Sequence, residues 1–169
     1  MKISALFTAL LVLANPVNAD TVNAAVAANF TGAIKRLAPV FEEKTGHHLV
    51  PSFGSTGKLY AQISNGAPFD VLLSADDSAP KKLVDSGLAN GVSYFIYARG
   101  RLVLWSATGG FVDDKGDILK TDRFTKLAIA NPKTAAYGQA AVDALAALGL
   151  LDPLQPRFVV GESIAQAQQ

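Results

Sequence analysis

Short apolar runs alternate with amphipathic stretches through the first half of the chain, and this alternation predicts strands and helices in turn. Thr21–Ala28 is short, apolar and partly β-branched, the pattern of a buried strand. A turn at Asn29–Gly32 follows. Ile34, Leu37, Val40 and Phe41 then recur on one helical stripe, with Lys35, Arg36, Glu42 and Glu43 outside it. That spacing predicts a helix over 32–45, closed by Gly46. Leu49–Phe53 reads as a second strand, Lys58–Ser64 as a helix ending at Asn65-Gly66, and Phe69–Leu73 as a third strand. Asp76 and Asp77 open another helix, with Pro80 in its first turn and Gly87 at its end. Repeated strand–helix units of this kind predict an α/β fold with a doubly wound parallel sheet and helices on both faces. Ligands of such sheets sit at the carboxyl ends of the strands.

After Gly91 the texture changes. Ser93–Ala98 and Arg101–Ser106 are rich in aromatic and β-branched residues and are separated by Gly100, which is read as the crossing into a second lobe. Asp113-Asp114-Lys115-Gly116-Asp117 predicts a hairpin or loop tip. Leu127–Ala130 reads as a strand, Gly138–Leu148 as a helix and Arg157–Val160 as a strand, and Ser163 is placed to cap a last short helix.

Composition sharpens this picture without changing it. Of 169 residues half are apolar and 17% charged, enough to bury a core and unlike a disordered segment. The formal net charge of +1 excludes a strongly basic nucleic-acid groove, and the absence of cysteine excludes disulfides and thiolate metal sites. Lys2, the apolar run Ile3–Ala14 and the small-x-small triplet Val17-Asn18-Ala19 match a cleaved targeting segment over residues 1–19. The apolar run is well short of the ~20 residues that span a bilayer. Removal of Lys2 leaves the remainder formally neutral, and these features together predict a soluble periplasmic protein. Residues 20–99 would form one lobe and 100–169 the other.

The chemistry concentrates in three strand-to-helix turns: Ala28-Asn29-Phe30-Thr31-Gly32, Phe53-Gly54-Ser55-Thr56-Gly57-Lys58 and Pro132-Lys133-Thr134-Ala135-Ala136-Tyr137-Gly138. A helix start leaves backbone N–H groups without intrahelical partners and places the positive end of the helix dipole behind them. With hydroxyls added, such turns suit a small oxyanion. Ser55 can alternatively serve as an N-cap.

Other motifs carry less. Gly57-Lys58 lacks the P-loop hydroxyl, since Leu59 follows, and Ser52 stands where the first glycine belongs. Ser55-x-x-Lys58 with Lys133-Thr134-Ala135 partly matches serine acyl-transfer enzymes but has no S-D-N element. Lys58 reads instead as a solvated helix residue. Asp76-Asp77 suits capping and the helix dipole. Asp113–Asp117 lacks the Glu of a calcium loop, and His47 and His48 fall on opposite faces of a strand.

The runs AVAANFTGAIKRLAPVFEEKTGH, FGSTGKLYAQISNGAPFDVLLSADDSAPKKL and LAIANPKTAAYGQAAVDALAALGLLDPL closely resemble the periplasmic molybdate-binding proteins of ABC transporters, over Asp20 to Gln169. The resemblance implies a two-lobed type II periplasmic-binding fold that closes on molybdate or tungstate. It implies anion contacts from Asn29, from the hydroxyl and N–H of Thr56, from the main-chain N–H of Tyr137 and from that of Ile164, with Ser55 beside them. It also implies an inner-membrane ABC permease as partner, a monomeric chain, no nucleic acid, no catalysis and no cofactor other than the oxyanion ligand. Relatives continue past the position of Gln169, so the second lobe is expected to be incomplete. Sulfate or phosphate is the alternative ligand, and serine acyl transfer through Ser55 and Lys58 the alternative class.

Overall fold

A computed structural model describes residues 19–169, so the expected targeting segment lies, except for Ala19, outside the described residues. Strand β1 (Thr21–Ala27) leads through a 3-10 turn (Ala28–Phe30) into α1 (Thr31–Thr45). Then come β2 (His48–Gly54), α2 (Thr56–Ser64), β3 (Val71–Leu73) and α3 (Ser78–Asp85). All pairings are parallel and the strand order is β2-β1-β3, with Ala24 opposite both Pro51 and Val71. The order reverses at β1, which places the turn after it at the switch point where open α/β sheets take their ligands. Pro51 is tolerated because β2 is an edge strand.

The core explains why β1 is so plain in sequence. Ala24, Ala25, Val26 and Ala27 are all buried, with Ile34 of α1 packed on Ala24 and Val26, while Leu59 of α2 and Leu83 of α3 are the largest enclosed side chains. Burying a leucine-sized side chain contributes about 1.5–3 kcal/mol. The helical stripe of α1 is only partly covered: Ile34 is enclosed, but Leu37 and Val40 are nearly half exposed. Gly46 closes α1 as expected, in the left-handed region at φ 73° with its N–H donated to Glu42 O.

The third strand begins two residues later than Phe69. Asp70 instead forms a clasp on β1: its N–H bonds Asn23 O at 2.9 Å, and its carboxylate accepts from Asn23 N–H at 2.7 Å. Asp76 caps α3 through Ala79 N–H at 3.0 Å, as its position suggested.

From a 3-10 turn at Gly91–Ser93 to a second at Asp117–Lys120 the chain has no regular element. The aromatic and β-branched runs there form no ladder, and Phe95, Ile96, Val103 and Trp105 are largely exposed. Asp113 organises the loop tip by accepting the N–H groups of Lys115, Asp117 and Ile118. These donors hold its carboxyl below the usual range.

A second parallel pair follows, β4 (Leu127–Ala130) with β5 (Phe158–Gly161), connected by α4 (Ala136–Ala147) and a short α5 (Leu151–Leu154) that sequence reading did not anticipate. The last element, α6 (Ile164–Ala167), packs on β4 and β5 and also reaches the 28–30 turn at the end of β1. Ser163 caps it, accepting from Gln166 N–H.

A candidate anion-binding cleft

Contacts link the turns after β1 and β2 to those after β4 and β5: Gly57 with Thr134, Lys58 with Glu162, and α6 with the 28–30 turn. The start of α2 is tied to the turn before α4 by a backbone bond from Gly57 N–H to Thr134 O, 2.9 Å. A β-carbon on Gly57 would lie 3.0 Å from that oxygen and 3.1 Å from Thr134 Cα, so glycine here permits the approach of a neighbouring backbone. Its N–H is thereby used within the protein and is not one of the free donors of the turn.

Ser55 and Thr56 are both buried. Ser55 occupies the N-cap position of α2, yet its side chain makes no capping bond, and its Oγ has no partner. The capping alternative for Ser55 is therefore not realised. Thr56 Oγ1 accepts Ala75 N–H at 3.2 Å, which leaves its own O–H free to donate. A second buried hydroxyl without a partner is Thr134 Oγ1, in the turn before α4. Sequence reading quoted that turn but did not select Thr134, although a hydroxyl two residues before a helix start was a usable signal.

The turn carrying Thr134 is fastened by Asn131. Its side-chain oxygen accepts Lys133 N–H at 3.0 Å, and its carbonyl accepts Thr134 and Ala135 N–H. Gly138 seats α4 against the end of β4, since a β-carbon there would fall 2.2 Å from Ala130 O. These contacts fix where the first amides of α4, including that of Tyr137, point from.

Asn29 and Tyr137 line one cleft of about 380 Å³, together with Ser74, Ala75, Tyr97 and Arg99. Ser55, Thr56 and Ile164 do not line it directly. Thr56 abuts it through Ala75, and Ile164 begins α6, which packs on the turn holding Asn29. Of the five expected residues, Asn29 and Tyr137 share this wall, Thr56 touches it through Ala75, and Ser55 and Ile164 lie outside it.

Tyr97 and Arg99 were not anticipated. Tyr97 donates its hydroxyl to Ser74 O at 2.8 Å and packs edge-on against Phe30, with ring centroids 5.1 Å apart. Burial, and secondarily the neighbouring Tyr137, push its phenol above the usual value, so it remains a neutral donor. Arg99 is the one charged residue among those lining this cleft, and it is exposed.

Lys58 departs from expectation. It is not simply solvated but ion-paired with Glu162, in the turn between β5 and α6. With its ammonium engaged there and Ser55 Oγ unpartnered, the Ser–Lys pair that acyl transfer needs is not formed. The cleft offers neutral hydroxyls, helix-start amides and one cation, a donor set matched to an oxyanion.

A family described as bacterial extracellular solute-binding protein matches residues 22–169. The molybdate-binding protein ModA of Azotobacter vinelandii is 54% identical over 157 residues, covering 93% of this chain and 62% of the relative. ModA of Rhodobacter capsulatus is 52% identical over 157 residues, with the same two coverages of 93% and 62%. The solved periplasmic molybdate-binding protein of A. vinelandii superposes with a TM-score of 0.85 at 46% identity, over 87% of this chain and 64% of that one. The chain thus spans a little under two thirds of the length of these relatives. On the family match, which runs from β1 to the end of the chain, this chain belongs to the bacterial extracellular solute-binding proteins.

Proposed function

We propose that this protein captures molybdate, and tungstate alike, in the periplasm and hands it to an ABC importer, without covalent chemistry. The observation that carries the reading is the pair of buried hydroxyls without partners, Ser55 Oγ and Thr134 Oγ1, in two turns joined by Gly57 N–H and Thr134 O. A buried polar group left unpaired costs about 1–3 kcal/mol, so such groups are kept where a ligand satisfies them. The names of the relatives from A. vinelandii and R. capsulatus, both molybdate-binding, indicate which oxyanion.

In this reading Asn29, Ser55, Thr56, Tyr137 and Ile164 supply the donors, with the Thr134 hydroxyl beside them. A tetrahedral dianion removed from water needs many hydrogen bonds, and helix-start amides supply them already oriented. Residues 20–99 and 100–169 act as two lobes that close on the anion, and closure presents the surface that the permease reads. Because the inner donors are neutral and fixed by turns, cavity size rather than charge sets the choice among oxyanions.

Calorimetric titration of the chain lacking residues 1–19 with molybdate, tungstate, sulfate and phosphate tests this. Molybdate and tungstate are expected to bind alike and well above the other two. Tight sulfate or phosphate binding with no molybdate signal would overturn the assignment.

A further inference from the structure

The Lys58–Glu162 pair joins α2 to the turn between β5 and α6. Lys58 lies in the first turn of α2, next to Gly57, whose N–H already holds Thr134 O. Glu162 follows Gly161, whose carbonyl accepts Asn131 N–H at 2.7 Å and so fixes the turn that carries Thr134. Glu162 N–H in turn donates to Gln166 Oε1 at 2.6 Å, tying it to the first turn of α6, the helix that Ile164 opens. Glu162 therefore reaches α2 through its carboxylate and α6 through its backbone N–H, and it directly follows the residue that holds the 131–135 turn.

We propose that Glu162 is a positioning residue of the anion site and that its ion pair with Lys58 is a latch holding the α2 start against the β4–β5 unit, which slows escape of the bound anion. The inference rests on the oxyanion reading above. Its physical basis is the placement of the contact. The backbone bond from Gly57 to Thr134 ties the start of α2 to the 131–135 turn, and the adjacent ion pair adds a second link from the same helix start, to the turn between β5 and α6. Lys58, and secondarily Asn131, hold the Glu162 carboxyl below its usual range, so it stays ionised and able to pair at neutral pH.

Both partners are about half exposed, so the pair belongs to the weak, salt-screened class. Interactions of that class correspond to roughly two- to fivefold in a rate or affinity. The sign of the Glu162→Gln effect separates a latch from through-space electrostatics. Removing a negative charge near an anion should slow its release if charge alone mattered. A latch predicts the opposite.

The test measures molybdate dissociation by rapid displacement with excess tungstate, at low and high ionic strength. The proteins are wild type, Glu162→Gln, Lys58→Met and the charge-swapped double variant Lys58→Glu/Glu162→Lys. Both single variants are expected to release molybdate about two- to fivefold faster at low salt, the difference fading at high salt, with the swapped pair restoring slow release. Unchanged or slower release from Glu162→Gln, or no rescue by the swap, overturns the latch. If wild type binds no molybdate, the oxyanion reading fails by itself. The latch is then read from small-angle scattering of the unliganded proteins: a larger radius of gyration for Glu162→Gln, reversed by the swap, supports it, and identical radii overturn it.

Discussion

Residues 21–90 and residues 91–126 are similarly rich in apolar side chains but use them in opposite ways. In the first stretch two strands pair with β1, and Ala24 to Ala27 are wholly enclosed. In the second, Val92, Phe95, Val103 and Trp105 face solvent, and no strand is formed. The difference lies in partners rather than in propensity. Aromatic and β-branched residues favour a strand only where a neighbouring strand can complete the ladder and cover a face. Here β1 has β2 and β3, each delivered by a helix of its own, whereas residues 94–106 have no adjoining strand among the described residues.

The largest expected effect sharpens that contrast directly. Leu59→Ala removes a buried side chain from beneath the first sheet and should destabilise by about 2–5 kcal/mol. Trp105→Ala removes a larger side chain that is 60% exposed and should change stability by about 0.5 kcal/mol or less. Urea denaturation of the two variants checks this, and comparable losses would show that residues 91–126 contribute a core of their own.

A second effect belongs to the turns at the ends of the strands. Thr56→Ala deletes a hydroxyl expected to meet a charged oxygen, and should weaken molybdate binding by roughly 1.5–3 kcal/mol, about ten- to a hundredfold. Thr56→Ser keeps the hydroxyl, and with it the acceptor for Ala75 N–H, so it should bind nearly as wild type does. Equal losses in both variants would assign the effect to packing around the threonine methyl group instead.

How much of this was legible in the sequence follows the same division. The βαβ units were readable because helix-stopping glycines stand where the apolar periodicity ends. Gly46, Gly66 and Gly87 all adopt positive φ. Leu127–Ala130 was placed to the residue, being a short apolar run between polar flanks. The short α5 was missed because Asp152-Pro153 within it reads as a turn. The late start of β3 depends on the Asp70 clasp to Asn23, a contact 47 residues apart that no local pattern records. The candidate site was legible as chemistry, in hydroxyls and glycines at helix starts, but not as geometry. That Gly57 spends its N–H on Thr134 and that Lys58 reaches Glu162 depend on contacts between residues about 80 to 100 positions apart, and that Ser55 caps nothing is written in no local pattern.

A smaller effect separates the Lys58–Glu162 pair from the 113–118 loop by pH. The folded-state carboxyl of Glu162 titrates below its usual range because of Lys58, so its contribution is present above the ordinary carboxylate pKa and is lost as pH falls through the folded value. Wild type and Glu162→Gln should therefore differ in melting temperature near neutrality and converge in acid. Asp113 follows the same sign through its backbone donors, but its loss should be local. Asp113→Ala should speed amide exchange at Lys115, Asp117 and Ile118 while leaving the amides of β1 unaffected. Faster exchange throughout β1 would show that the loop and the first sheet open together.

The central claim is that one oxyanion is held where helix starts from both sheets converge. Amide chemical-shift mapping by NMR during a molybdate titration tests it most directly. The account predicts saturable shifts at Asn29, Ser55, Thr56, Tyr137 and Ile164, together with Ala75, whose N–H rests on Thr56. Shifts confined to one sheet, or centred on exposed lysines with no change at Thr56 and Tyr137, would contradict it.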